Sequence, residues 1–191
     1  MTVIAVRGLA TQQAVYLPIG AMLALIVFAF TVPGYDSVSQ HLSELGLMPG
    51  LPAYAVQAVG IISGAAIVVF SLSLLTQGRR FALTVLTSTL FGISMLSNGI
   101  FTTGSPMHGL YGVGIFSVLT PLLFLVELGP QASTRIGWVS RWTSLLAMIY
   151  LWLMVAGLDP IPYRGLSQRI ALLPAFGWYC FAAIELRRRR L

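Results

Sequence analysis

Residues able to carry proton, anion or metal chemistry are scarce in this chain, and their spacing gathers most of them into a few short polar stretches. There are five acidic residues and two histidines in 191 positions. One stretch, Tyr35-Asp36-Ser37-Val38-Ser39-Gln40-His41-Leu42-Ser43-Glu44-Leu45-Gly46, holds Asp36, His41 and Glu44. On a helix, His41 would lie four residues from Ser37 and three from Glu44, within side-chain reach of both. An imidazole beside carboxylates suits proton transfer, metal ligation or an ion pair. The second histidine, His108, closes the loop Thr102-Thr103-Gly104-Ser105-Pro106-Met107-His108. A third polar segment, 157–169, contributes Asp159, Arg164 and Arg169. Asp36, His41, Glu44, His108, Arg164 and Arg169 form the candidate ligand-binding set.

These residues must be positioned by apolar elements, because little else is present. The composition is 57% hydrophobic and 8% charged, with a mean hydropathy of +0.88, whereas about a quarter of a soluble domain is charged. The chain therefore reads as an all-α polytopic membrane bundle. Runs long enough to cross a hydrocarbon core, or nearly so, fall at about 14–32, 53–75, 81–101, 110–128, 142–156 and 170–184, as six spans of a single transmembrane domain. The first run is long for a signal peptide and lacks a small-x-small cleavage pattern, so it reads as a mature helix. The fifth and sixth are short. Pro121 predicts a kink in the fourth. Gly60 and Gly64 have GxxxG spacing, which suits close helix packing within the chain. Hydroxyls along the third span are expected to bond their own backbone, while Asn98 near its far end is costlier to bury.

Between the first two spans, Ser37-x-x-Gln40 has capping-box spacing, Val38, Leu42 and Leu45 share one face, and Gly46 suits a helix C-terminus. The pattern predicts a short amphipathic helix over Ser37 to Leu45. At 1.5 Å per residue it would be roughly 13 Å long, too short to span, and it is expected to lie over the outer end of the bundle as a lid.

Orientation follows from the arginines. With the N-terminus inside, nine of eleven (Arg7, Arg79, Arg80, Arg135, Arg141 and Arg187 to Arg190) fall on the cytoplasmic side, and only Arg164 and Arg169 fall outside. Both termini are thus expected in the cytoplasm of a prokaryotic cell, with the chain in its cytoplasmic (inner) membrane. Trp138 and Trp142 fall at the inner interface. This topology brings Asp36, His41, Glu44, His108, Asp159, Arg164 and Arg169 to one face. Glu127 and Glu185 lie at the other, where they read as interfacial or ion-paired residues.

Several functions are excluded or disfavoured. The positive charge is distributed at span ends and forms no basic stripe, so it does not indicate nucleic-acid binding. The single cysteine, Cys180, cannot form an intrachain disulfide. The chain contains no G-x-S-x-G, P-loop, HExxH or GxGxxG motif with its required context, and no internal repeat of the transporter kind.

The stretch Tyr35 to Gly46 after a first span, Asn98-Gly99-Ile100-Phe101-Thr102-Thr103 before His108-Gly109, and Gly165-Leu166-Ser167-Gln168-Arg169 opening a last span with Trp178 together resemble the DUF998 family of six-span membrane proteins of bacteria and archaea. The likeness covers nearly the whole chain. It implies a fold and a set of positions but no reaction, since the family has no settled biochemical activity. Members often read Phe-Pro-Thr-Asp where this chain has Phe101-Thr102-Thr103-Gly104, so an acid that could serve a metal site is missing here.

The resemblance directs attention to the same outer cluster as the topology. Arg169 is expected to pair with Asp36 or Glu44, and His41 to approach His108. Three functions remain open, with no cofactor assigned. The first is a lipid-binding or accessory membrane protein, whose partners would be membrane lipid and other membrane subunits. The second is a metal-dependent intramembrane hydrolase acting on a lipid, with His41, His108 and Asp36 or Glu44 around zinc. The third is haem ligation by the two histidines, which their position near helix ends disfavours.

Overall fold

The apolar runs do become helices, and the fifth and sixth helices extend well beyond their runs. A computed structural model describes residues 3–76 and 81–188. Arg79, Arg80, Arg189 and Arg190, four of the arginines used for orientation, lie outside the described residues. The helices are α1 (Val3–Gln12), α2 (Leu17–Ala29), α3 (Leu51–Leu75), α4 (Ala82–Ile100), α5 (Thr120–Leu128), α6 (Thr134–Val155) and α7 (Arg164–Arg188), with no strand among the described residues. They supply six segments long and apolar enough to cross a membrane: Gly8–Ala29, Leu51–Leu75, Ala82–Ile100, Gly112–Gln131, Thr134–Val155 and Ile161–Arg188. The protein is an all-α polytopic bundle.

The fifth and sixth spans illustrate why apolar runs understate helix length. Arg135 and Arg141 interrupt the hydropathy of α6, and Arg164 and Arg169 that of α7, yet all four are good helix formers. Ser133 caps α6 by accepting from Ile136 N–H at 3.3 Å, which fixes its start one turn and more before the apolar run. Both helices are consequently long enough to cross. The fourth span departs in another way. Pro121 sits in the first turn of α5, where its missing N–H is harmless, and the preceding Leu110–Leu119 is wound as a 3₁₀ helix. The expected kink is thus a change of helix type.

The tightest helix pair is the α3–α4 hairpin. A Cβ on Gly60 would fall 2.8 Å from the Gly99 Cα, and one on Gly64 2.6 Å from the Gly92 carbonyl oxygen. The GxxxG face is therefore consumed within the chain, because only glycine permits this backbone approach. Thr87 and Ser88 donate to carbonyls of their own helix, at 2.9 Å to Leu83 and 2.5 Å to Thr84. Ser94 and Ser97 instead hold the following loop, donating to Gly109 at 3.0 Å and Met107 at 2.5 Å.

Phe70, Phe81, Phe124, Phe176, Trp178 and Tyr179 are all within 2% of complete burial. Their edge-on and stacked contacts tie α3, α5 and α7 together, and the Trp178 indole N–H donates to Ser140 on α6 at 2.8 Å. Trp138 and Trp142 lie on the exposed surface of α6, as interfacial tryptophans do.

Glu127 and Glu185 are helix caps. Glu127, at the end of α5, accepts from Leu83 N–H at 2.7 Å, Thr84 N–H at 3.0 Å and the Thr84 hydroxyl at 2.5 Å. It thereby satisfies the first turn of α4. Glu185, near the end of α7, accepts from Ser133 N–H at 3.2 Å and its hydroxyl at 2.7 Å at the start of α6. Each carboxylate also meets the positive end of a helix dipole.

Candidate functional site

The polar stretch after the first span folds as a lid, with local geometry different from the expected helix. Asp36 organises a turn: its carboxylate accepts from Val38 N–H at 2.9 Å and the Ser39 hydroxyl at 2.5 Å. These bonds hold the Asp36 carboxyl below its ordinary pKa. Gln40 returns its side-chain oxygen to Asp36 N–H at 2.7 Å, while Ser37 is buried and is not the cap. His41 is extended (φ −70°, ψ 146°), and a 3₁₀ helix then runs from Leu42 to Leu47. Glu44 reaches back to His41 N–H at 3.0 Å, capping that helix. The predicted helix over Ser37 to Leu45 is therefore replaced by a turn and a shorter 3₁₀ segment.

Tertiary hydrogen bonds explain the replacement. An α-helix would direct the Val38 carbonyl to Leu42 N–H, but the carbonyl accepts from Leu166 N–H at 2.9 Å and Leu42 N–H goes to the Gln168 side chain at 2.8 Å. The Ser39 carbonyl accepts from Arg164 Nε at 2.8 Å, and the Gln40 carbonyl from Arg169 Nη1 at 3.2 Å and the Tyr35 hydroxyl at 3.0 Å. The start of α7 thus takes the lid's backbone groups. Gly165 makes the docking possible: a Cβ there would lie 2.2 Å from the Gln40 carbonyl oxygen and 2.8 Å from that of Ser37. On the other side, the Thr103 hydroxyl donates to the Ser43 carbonyl at 3.0 Å.

The charged residues do converge here, with partners other than those expected. Glu44 pairs with Arg164 at 3.2 Å, and His41 Nε2 lies 3.3 Å from Asp159. Asp159 also accepts from the Ser167 hydroxyl at 2.6 Å. The histidine does not lie between serine and carboxylate, so this is a structural clamp without the order of a nucleophilic triad. Arg169 pairs with neither Asp36 nor Glu44. It is 3% exposed and donates to the carbonyls of Gln40 and Gly165, at 3.2 and 2.6 Å, and to the Tyr35 hydroxyl at 2.9 Å. Its Nε is buried with no hydrogen-bond partner. The Phe30 and Tyr35 rings, 6.0 and 5.9 Å from the guanidinium carbon, face its charge. Burial raises the Tyr35 phenol above its ordinary pKa against the pull of Arg169, so the hydroxyl stays a donor to Gln40.

Beneath the lid is a partly open cavity of about 150 Å³. Its walls are largely apolar, with Met22, Leu25, Val56, Val59, Leu172 and Phe176 drawn from α2, α3 and α7. Ser43, Asn98, His108 and Gln168 supply its polar rim. His108 Nδ1 donates to the Phe101 carbonyl at 2.8 Å. Asn98 accepts from Gly109 N–H through its side-chain oxygen and donates to the Met95 sulfur at 3.7 Å. Of the candidate set, only His108 lines this cavity, while His41, Glu44, Arg164 and Arg169 hold the lid and Asp36 shapes it.

Residues 18–185 match the family model described as "Protein of unknown function (DUF998)". The chain belongs to the DUF998 family. The matched region includes the lid, the His108 loop and the start of α7 in full. No curated protein and no solved structure matches the chain. In this DUF998 protein the two histidines bond to different neighbours, His41 to Asp159 and His108 to the Phe101 carbonyl. No group of three His, Cys, Asp or Glu side chains able to hold a metal occurs among the described residues.

Composition and spacing do not single out Tyr35, Gly165 and Gln168, and they place Asp159 on the outer face without including it in the candidate set. Asp159 carried a usable signal, as the only acid in the loop facing the lid. Gln168 sits at i+4 from Arg164 and shares its helix face, a signal that appears only once α7 is known to start at Arg164.

Proposed function

We propose that this integral membrane protein binds an amphipathic molecule of the bilayer in the cavity beneath the lid, acting as a lipid-binding or accessory membrane component. The observation that carries this reading is the cavity itself. Its volume of about 150 Å³ is small, but a partly open, largely apolar lining with four polar residues is the make-up of a ligand site. It has the size that elsewhere admits a benzene-sized apolar group. The arginine distribution supports placing the lid at the extracytoplasmic face of a prokaryotic membrane.

A metal-dependent hydrolase or a haem protein has less support, because no group of three metal-ligating side chains occurs among the described residues and each histidine already has one ring nitrogen engaged by a neighbour, Asp159 or the Phe101 carbonyl. The lid residues are better suited to closing a chamber than to transferring protons. Mass spectrometry of lipid retained by the purified protein tests the proposal. Val56→Phe, which fills the cavity from α3, should lower retained amphiphile at least fivefold with little change in melting temperature. Equal retention in the folded variant would refute the cavity as the binding site.

A further inference from the structure

The rim of the cavity is selective in its hydrogen-bonding polarity as well as in shape. Building on the reading that it holds an amphiphile, we infer that the ligand is a neutral lipid bearing a free hydroxyl, of the monoacylglycerol or long-chain alcohol kind, in place of an anionic lipid.

Two side chains set this preference. A carbonyl oxygen can only accept, so the 2.8 Å contact of His108 Nδ1 with the Phe101 carbonyl places the ring hydrogen on Nδ1. In the Nδ1–H tautomer the lone pair of Nε2 is an acceptor. Asn98 is oriented by a similar constraint. Gly109 N–H can only donate, which identifies the side-chain atom facing it as oxygen and leaves the amide nitrogen on the other branch. One of its N–H groups meets the Met95 sulfur at 3.7 Å, a weak acceptor, and the other has no protein partner among the described residues. Both side chains line the same cavity. An acceptor and a donor on the lining of one cavity complement a hydroxyl, which would donate to His108 Nε2 and accept from Asn98 Nδ2. The Ser43 hydroxyl on the same rim can take either role.

The distribution of charge argues in the same direction. Arg164 is paired with Glu44 and His41 with Asp159. Arg169 is turned to the Gln40 and Gly165 carbonyls and the Tyr35 hydroxyl. None of these five charged or ionisable side chains lines the cavity. A phosphate or carboxylate entering it would lose solvation with no arginine in the lining to pair with, and would direct lone pairs at the acceptor Nε2 of the Nδ1–H tautomer of His108. Burying a charge on those terms is strongly unfavourable, whereas a hydroxyl finds both partners already in place.

The test uses the full-length protein in phosphatidylcholine nanodiscs. Binding of 1-oleoylglycerol is compared with that of 1-oleoylglycerol 3-phosphate, which has the same acyl chain and glycerol with an added anion. Native mass spectrometry with competition gives the affinity ratio. The neutral lipid should bind at least tenfold more tightly. Asn98→Asp keeps the oxygen facing Gly109 but removes the N–H donor, and should weaken 1-oleoylglycerol about tenfold with its fold verified by thermal melting. His108→Gln, a second variant, should weaken it severalfold. Equal or tighter binding of the phosphate by wild type would overturn the inference about the head group, while loss of both lipids in Val56→Phe would leave the cavity reading intact. Unchanged binding of both lipids in Val56→Phe would remove the cavity reading and the inference with it.

Discussion

Gly165→Ala separates lid docking from helix stability more sharply than other single changes. Gly165 lies in α7, where alanine is the better helix former by about 1 kcal/mol, so without the lid this change would stabilise the protein. With the lid docked, the new Cβ would stand 2.2 Å from the Gln40 carbonyl oxygen, 2.8 Å from the Ser37 carbonyl oxygen and 2.9 Å from Arg169 Nη1. The first two are backbone atoms, and the third is the end of a side chain held by three hydrogen bonds. To restore ordinary contact, the Gln40 carbonyl must retreat by about 1 Å. That movement lengthens the Arg169–Gln40 bond at 3.2 Å beyond a useful distance and strains the Leu166–Val38 bond at 2.9 Å. A charge-assisted bond contributes about 1.5–3 kcal/mol and a neutral one about 1 kcal/mol. After the helix-propensity gain, the net loss on lid closure is about 2 kcal/mol, or roughly 30-fold in the open population. Amide hydrogen exchange over residues 36–47 should accelerate by that factor, while α3 and α4 remain protected. Wild-type protection of the lid in a folded Gly165→Ala protein would refute the assignment of Gly165 as the docking point.

Two further outcomes follow from the caps and from the lid turn. Glu127→Ala leaves the buried Thr84 N–H and hydroxyl without their acceptor, at a cost of about 2–4 kcal/mol after partial relaxation. Chemical unfolding in detergent should show this loss, and Glu127→Gln, which retains one acceptor, should recover part of it. The Asp36 carboxyl has a lowered pKa in the folded protein, so its contribution to the turn is present above the unfolded carboxylate value, near 3.9. That contribution is lost as pH falls through the depressed folded value. Protection of the Val38 amide relative to its intrinsic exchange rate should therefore fall only below about pH 4 in wild type, and should be lower and nearly pH-independent across that range in Asp36→Asn.

The bundle was legible in the sequence because long apolar runs admit few structures in a bilayer, where every backbone group must be satisfied within a helix or closed barrel. Close packing at Gly60 and Gly64 was legible for a similar reason, since close backbone approach needs small residues at fixed spacing, but the partner helix α4 with Gly92 and Gly99 was not. The lid was legible as a place but not as a conformation. Ser37, Gln40 and Gly46 carry valid local helix signals, yet Leu166, Arg164, Gln168 and Arg169 take the hydrogen bonds that such a helix would use. No local rule contains those partners. Arg169 shows the same limit for electrostatics. The expectation of a carboxylate was reasonable for a buried guanidinium, but three neutral oxygens and two aromatic faces occupy its surroundings. The two acids reserved for it are engaged elsewhere, Asp36 in its own turn and Glu44 with Arg164.

The distribution of interactions also indicates which boundary of the cavity can yield. The walls include α3 and α4, which meet backbone to backbone through glycines, and α7, which is fixed through the buried Trp178 cluster. Separating either would expose large apolar side chains or helix-facing backbone to the bilayer. The lid is held to α7 mainly by polar contacts, several of them partly exposed, and exposed ion pairs contribute about 0–1 kcal/mol each. Its backbone passes through Gly34 and Gly50 at positive φ, 77° and 75°, on either side, and both glycines have open space around the Cβ position. Water and lipid head groups can replace the lid's polar partners more readily than anything can replace the glycine and aromatic contacts below. Leu42 and Leu45, 4% and 0% exposed, anchor the lid to the apolar core as well, so Glu44, Arg164, His41 and Asp159 act chiefly as clasps that hold it against α7.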